Sequence, residues 1–555
     1  MLHPAPRRAA PPPPPPPAAL AALDYNLEAT FWGAGSSNRL PFIHPVMASS
    51  TNPGAVATAR LRAQNAGTWG RDVNWKSAVG RTVAGAPCFP DGCPNLTAAG
   101  FRGAEWPSAG MPLGDGRLAD SDLQTRFIGG LLATNLLQYY EYSRNLSVLA
   151  QTVYPFVRDN AEFYLSYATA GADGKLLFPY SCAQEACQCR DAAFVKVPDC
   201  PVPNFTTACS NPGAPFEERC PTASGWQKNH PCFECFPDID TGSLDGYHNA
   251  HPDVAFASST FRNAVRFARL LGVDSGPAAA WQAALDRMPP YPSADFTFVD
   301  GAPGSEWNGG AGYLVEAEYG HHPGMAPNGS RAAPPVWPWC NKEYPIANFA
   351  AMWPTDEIGA TQTADLALLA RAKQTVFALN KYQAKPWANT NGFCLSWPPA
   401  VRVSARADAA ALVTAFAAAI ASATGNNACV QNNGGMLENV GATVAINDLL
   451  LQSHGGRMRF FPVWNATALG AASFTTLRAY GAFLVSAAVD AAGAVSEVAL
   501  ASEVGGDAVF ESPWAGASPR VVDGGGADVP VSAVSPGVFS FPTAPGGSYT
   551  ISATQ

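Results

Sequence analysis

The hydrophobic period of this chain switches at a glycine pair, and that switch limits the architectures open to it. Residues 434–464 read GGMLENVGATVAINDLLLQSHGGRMRFFPVW. The apolar run Val444, Ile446, Leu449 and Leu450 predicts a buried helix, which Gly455-Gly456 is expected to stop. Past the glycines, Met458, Phe460 and Val463 begin a β-rich tail. Helix-period and strand-period segments bury different faces, so a domain boundary is expected here. The same stretch places Glu438-Asn439 just ahead of the helix. A carboxylate beside an amide at such a place suits the activation of a water molecule, and suits a helix cap equally well.

Upstream of the switch, from about residue 123, the pattern is mostly helical. Leu149, Val153, Phe156, Val157, Phe163 and Tyr164 follow helical spacing, as do Val254, Phe261, Val265, Ala268 and Leu271, which end at Gly272. Further helical windows are 277–288, 364–382 and the alanine-rich 404–424. Long connections rich in Gly, Pro, Trp and Asn separate them, and such loops are where an α-toroid would carry its active site. Downstream, Phe483, Val485, Ala487 and Val489 alternate, turn at Ala491-Ala492-Gly493 and continue into 495–501. The tail reads as a small β-sandwich. No internal repeat is visible.

At 555 residues, with 47% hydrophobic and 14% charged residues, the chain can bury a large core and more than one domain. The net charge of −9 and the lack of any Lys/Arg run argue against a nucleic-acid partner. Residues 1–17, MLHPAPRRAAPPPPPPP, are a proline tract without the apolar stretch of a signal peptide, and no window approaches a membrane span. Residues 1–22 are expected to be a disordered proline-rich leader. Five N-x-[ST] sequons, at Asn95, Asn145, Asn204, Asn328 and Asn465, point outward from the cytosol. So do thirteen cysteines, eight of them between Cys182 and Cys235. A secreted or endomembrane protein with an incomplete N-terminus is the expectation. Cys232 and Cys235 have zinc-like spacing, but disulfides in a Cys-rich insert, residues 182–235, are the preferred reading, with no metal and no cofactor expected.

Four segments place polar groups at the ends of apolar elements: DYNLEATFWG with Ser36-Ser37-Asn38, PYSCAQE ending at Glu185, YHNAHPD ending at Asp253, and Glu438-Asn439. Cleavage of a glycosidic bond needs two carboxyl groups across a cleft, one protonated and one ionised, and such pairs come from distant loops. Each acid taken alone is better explained by a cap or a surface charge. The adjacent His321-His322 reads as surface loop. Trp337-Pro338-Trp339 and Trp397-Pro398-Pro399 read equally as a sugar subsite or as loop stiffeners. Fourteen Trp, sixteen Tyr and twenty-nine Phe could furnish sugar-stacking platforms, but an ordinary core is the preferred reading. There is no G-x-S-x-G elbow for a serine hydrolase and no P-loop.

In order and wording these segments resemble the catalytic region of glycoside hydrolase family 95, the inverting α-L-fucosidase and α-L-galactosidase family. LLLQSHGGRMRFFPVW, after a Gly-rich acidic motif, is similar to that family's helix and strand, and DYNLEATFWGAGSSN resembles its Asn-x-Asn stretch. LLFPYSCAQE occupies the place of the segment with the general acid. The resemblance covers about residue 23 to the C-terminus. It implies a mainly α fold, an (α/α)6 barrel (toroid) over residues 23–456, followed by a small all-β C-terminal domain over 457–555. It also implies an oligosaccharide or polysaccharide substrate. Carried over residue by residue, Glu185 is the candidate acid and Glu438 the candidate base, with Asn26 polarising the attacking water. Asp24, Asp253, His251, Asn439 and Trp32 are candidate substrate-binding residues. Glu185 stands two residues later than the family's spacing, Cys182 replaces a proline, Asp24 replaces an Asn, and Leu437 holds the base position one residue before Glu438. Those departures keep open a second reading, a catalytically inactive toroid that binds glycans or proteins.

Overall fold

Apolar helix faces pack into one cluster, and that packing positions the helices. The structure, a computed structural model, describes residues 26–57, 59–60, 63–64, 101–106, 126–171, 173–178, 247–294, 313–314, 318–319, 349–360, 363–382, 392–423 and 438–554. A short helix α1 (Asn26–Ala29) and α2 (His44–Ser50) precede α3 (Ile128–Ser143) and α4 (Tyr154–Tyr167). Then come α5 (His251–Leu271) and α6 (Ser275–Leu285). Helices α3, α4 and α5 pack on one another. Glycine makes the crossing possible: a Cβ at Gly130 would lie 2.5 Å from that of Phe256, and one at Gly129 would lie 2.0 Å from the Asn160 side chain. Helix α5 stops where its spacing predicts, at Gly272, in the left-handed conformation that favours glycine.

The remaining helices are α7 (Leu366–Tyr382), α8 (Gly392–Arg402), α9 (Ala409–Ala423) and α10 (Thr443–Leu450). Two expectations are corrected here. Trp397-Pro398-Pro399 lies inside α8, not in a loop, and Trp397 is buried with its ring 4.4 Å from that of Phe416 on α9. Burial of the indole outweighs the helix penalty of two prolines. The glycine pair, in turn, does not stop α10. Leu451 is already extended, and Leu451–Gln452 pairs antiparallel with Arg459–Phe460. Gly455 and Gly456, both at positive φ, belong to the connection between these two short strands.

The tail holds two antiparallel sheets. Its strands are β1 (Ala472–Ala479), β2 (Phe483–Val489), β3 (Val498–Ser502), β4 (Gly506–Glu511) and β5 (Pro519–Asp523), followed by β6 (Asp528–Val529), β7 (Ser532–Ser535), β8 (Val538–Thr543) and β9 (Gly547–Ala553). The larger sheet runs β6-β5-β9-β3-β2-β1 and the smaller β4-β8-β7. Strand β2 alternates buried and half-buried residues along its length, as its sequence predicts. Val485, Val498, Leu500 and Ile551 of one sheet share a hydrophobic cluster with Phe510 and Phe541 of the other. The helices form a separate cluster, which also takes in Val463.

Hydrogen bonds from the tail join the two parts, next to ion pairs within each. Arg478 of β1 donates to the Asn38 side chain at 3.0 Å and to the Tyr142 carbonyl at 3.1 Å, while holding Glu503 through both terminal nitrogens. Arg402, at the end of α8, pairs with Asp448 of α10 and with Asp356. The Tyr480 hydroxyl, from the tail, donates to Asp356 at 3.0 Å. Burial pushes the Asp448 carboxyl up to about 6 against the opposing pull of Arg402. No described helix is long and apolar enough to cross a membrane.

Candidate functional site

The candidate water-activating residues sit on two elements that touch. Asn26 is the first residue of α1, and Glu438 and Asn439 open a 3-10 helix, Glu438–Ala442, that leads into α10. α1 packs against that 3-10 helix and against α3. Three features hold it there. The Glu28 carbonyl accepts from Asn135 of α3 at 3.3 Å. The backbone at Gly33 runs so close to α10 that an added Cβ would stand 1.8 Å from the Thr443 hydroxyl. Asn447 of α10 donates to the hydroxyls of Ser36 and Ser37, each at 2.9 Å. The structure describes the backbone of Asn26, Glu438 and Asn439.

A second group gathers at the N-terminal end of α5. His251 and Asp253 lie in its first turn and are both fully buried. The turn is fixed from the other side by Asn249, whose N–H donates to the Phe178 carbonyl while its side chain accepts from the Phe178 N–H. A helix N-terminus favours the negative charge of Asp253. That charge is felt by two neighbours. Burial, and then Asp253, push the Tyr164 hydroxyl well above its ordinary value. Burial would lower Arg126, but Glu105, with Tyr167 and Asp253, more than reverses it, so its guanidinium stays charged. Arg126 and Glu105 form an ion pair whose side chains are 14% and 3% exposed.

His251 is held neutral, burial pushing it down to about 3. Its Nε2 accepts from the Ala351 N–H at 3.3 Å, which leaves the proton on Nδ1. The ring lies 5.1 Å from that of Tyr291. Trp32 is fully buried and meets Trp353 edge-on at 5.5 Å, and Arg402 in turn covers Trp353 at 4.8 Å.

Glu185, Asp24 and Leu437 lie outside the described residues, as do the Cys-rich segment, His321-His322 and Trp337-Pro338-Trp339. Sequence reasoning passes over Glu28, a fully buried acid two residues after Asn26, and over the Arg126–Glu105 pair with Tyr164. An acid inside the apolar run Leu27-Glu28-Ala29 is the one signal that could mark Glu28. The pair has no such signal, since its members come from separate segments.

No protein-family model matches the chain. No curated protein matches it either. Among solved structures, the chain is similar to a protein described as a kojibiose phosphorylase from the human microbiome, at 10% identity and a TM-score of 0.41. That match takes in 86% of this chain and 52% of the other, so this chain spans about half its length. An α-L-rhamnosidase from Streptomyces avermitilis matches at 12% identity and a TM-score of 0.29, over 76% of this chain and 32% of that one. A β-L-arabinofuranosidase from Geobacillus stearothermophilus T6 matches at 10% identity and a TM-score of 0.21, over 80% and 55%. Likenesses this loose decide neither fold nor function.

Proposed function

We propose that this chain is a glycoside hydrolase of the family 95 kind, built on an (α/α)6 barrel with a C-terminal β domain. It removes terminal α-L-fucosyl or α-L-galactosyl residues from glycans with inversion. The observation that carries the reading is the packing of α1, which begins with Asn26, against the 3-10 helix that begins with Glu438 and Asn439. Two segments at opposite ends of the helical part thereby meet, one beginning with Asn26 and the other with Glu438 and Asn439, and a carboxylate with amides is what water activation would use.

In this reaction Glu185 donates its proton to the leaving glycosidic oxygen as the bond to C1 breaks. Glu438 takes a proton from a water oriented by Asn26, and that water attacks C1 from the opposite face. The two carboxyls then stand about 6.5–9.5 Å apart, leaving room for the water. Asp24 and Asn439 bind sugar hydroxyls, and Asp253, enclosed, sits behind them. His251 and Trp32, both enclosed, form the wall behind them.

An aryl α-L-fucoside and an aryl α-L-galactoside test the reading together with Glu185→Gln. The wild type should release phenol from at least one. The variant should lose far more rate on a natural glycan than on the aryl sugar, whose leaving group needs little protonation. Equal losses on both remove Glu185 from the acid role. Leu437 at the base position favours a second reading, a glycan-binding toroid without turnover; it predicts saturable sugar binding and no released phenol.

A further inference from the structure

Between the helices and the β tail lies a cleft of about 540 Å³, within the range of small-molecule sites. Its floor is the second half of α3 and the middle of α5, and its roof is the segment 453–458 with the tail residues Tyr480, Phe483 and Val509. Along α5, the lining residues from Ser259 to Arg266 stand roughly 9–20 Å of helix axis beyond Asp253 in the first turn.

The lining is charged and balanced. Arg144, Arg262, Arg266 and Arg457 face it, and so do Glu141, Asp356, Glu357 and Asp507: four cations against four anions. Most of these side chains are held in place by one another. Arg262 grips Glu357 through two bonds, one of them 2.6 Å, while Glu141 is shared by Arg266 and Arg144. The acids lie deeper, with Glu357 5% and Glu141 10% exposed, whereas Arg262 and Arg266 are 51% and 43% exposed. The guanidinium groups are therefore the more accessible members of these pairs, and the carboxylates beneath them fix their directions. Between the charges stand neutral polar groups: Thr134, Gln138, Ser259 and Asn263. Gln138 is 4% exposed and its Oε1 has no hydrogen-bond partner among the described residues. Leu137, Met458, Phe483 and Val509 supply apolar wall.

That combination selects one chemistry. Most of the guanidinium and carboxylate groups are already paired with one another, so neither a free anion nor a free cation is offered an unpaired opposite charge, while an apolar ligand would leave the polar groups without water or partner. A neutral polyhydroxylated ligand satisfies both the pinned donors and acceptors and the apolar wall. We infer that the cleft is a second saccharide site, taking one or two neutral sugar units, formed jointly by the helical part and the β tail. The inference does not depend on turnover elsewhere in the chain.

Titration of the full chain with L-fucose, D-galactose and D-glucose, followed by saturation-transfer NMR, tests it, with inorganic sulfate as the anionic probe. At least one sugar should bind the wild type. Arg266→Ala, which leaves Glu141 paired with Arg144, should weaken that binding about tenfold, as expected for a lost charge-assisted hydrogen bond. Asn263→Trp, which fills the cleft, should abolish it. The inference is overturned if none of the three sugars binds, if sulfate binds in their place, or if Arg266→Ala keeps wild-type affinity. The last outcome stands whether or not Asn263→Trp folds.

Discussion

Arg402 is 2% exposed and neutralises two carboxylates, Asp448 and Asp356, from segments on either side of it in sequence. Removing one member of such a buried group typically costs about 3–5 kcal/mol, because the remaining charge stays buried without a partner. Nothing in the sequence marks these three residues as partners; only the folded chain brings them together. His251 is different, since it stands in a segment already conspicuous for its polar residues. Its protonation has a consequence that can be measured. The folded chain holds the imidazole neutral down to about pH 3, whereas the unfolded chain takes up a proton near pH 6.5. Folding stability from this residue is therefore complete above pH 6.5 and is lost as the pH falls. Chemical denaturation of the wild type and of His251→Gln at pH 4, 5, 6 and 7 isolates the effect. Between pH 6 and 4 the wild type should lose about 1.4 kcal/mol per pH unit more than the variant. Parallel stability curves would mean that the ring is not buried in solution as it is here.

Among the elements, those with one strong apolar face are the ones readable from sequence. The windows over Val254 to Leu271 and over Phe483 to Val489 become α5 and β2 because a recurring apolar position needs no distant partner to reveal its period. Elements shaped by distant contacts are not readable in this way. Trp397 and its two prolines become helix because Phe416 accepts the indole. α10 ends before the glycine pair because Arg459–Phe460 offers a strand partner. The placement of α1 belongs to the same class. It depends on a close approach between Gly33 and Thr443, which the sequence shows only as a glycine after Phe31-Trp32. Gly33→Ala should lower the melting temperature and disturb the packing of α1, since the new Cβ would collide with the Thr443 hydroxyl. Adding Thr443→Ala should recover part of the loss, the nearest remaining atom then being the Thr443 Cβ position at 3.1 Å. Thermal melts of the wild type and the two variants decide it; a double variant no better than the single one would exclude the collision as the cause.

For the whole molecule, the switch in hydrophobic period marks a real change of architecture, helices before and two antiparallel sheets after. The junction is not a bare linker. Arg478 and Tyr480 reach from the tail to bond with Asn38, Tyr142 and Asp356, so the two parts meet through polar contacts as well as through packing. The candidate site is only half legible from sequence. The motif order singles out Asn26 and Glu438 as candidates, and the fold brings their elements into contact, but periodicity says nothing of side chains that converge from separate loops. The central claim is an inverting hydrolase with Glu438 as its base. Proton NMR of the sugar first released from an aryl α-L-fucoside, recorded before mutarotation, tests it most directly. The account predicts β-L-fucose as the first anomer, with Glu438→Gln slower by about 10²–10⁴-fold. First release of the α anomer, no release at all, or an undiminished rate in the variant would contradict it.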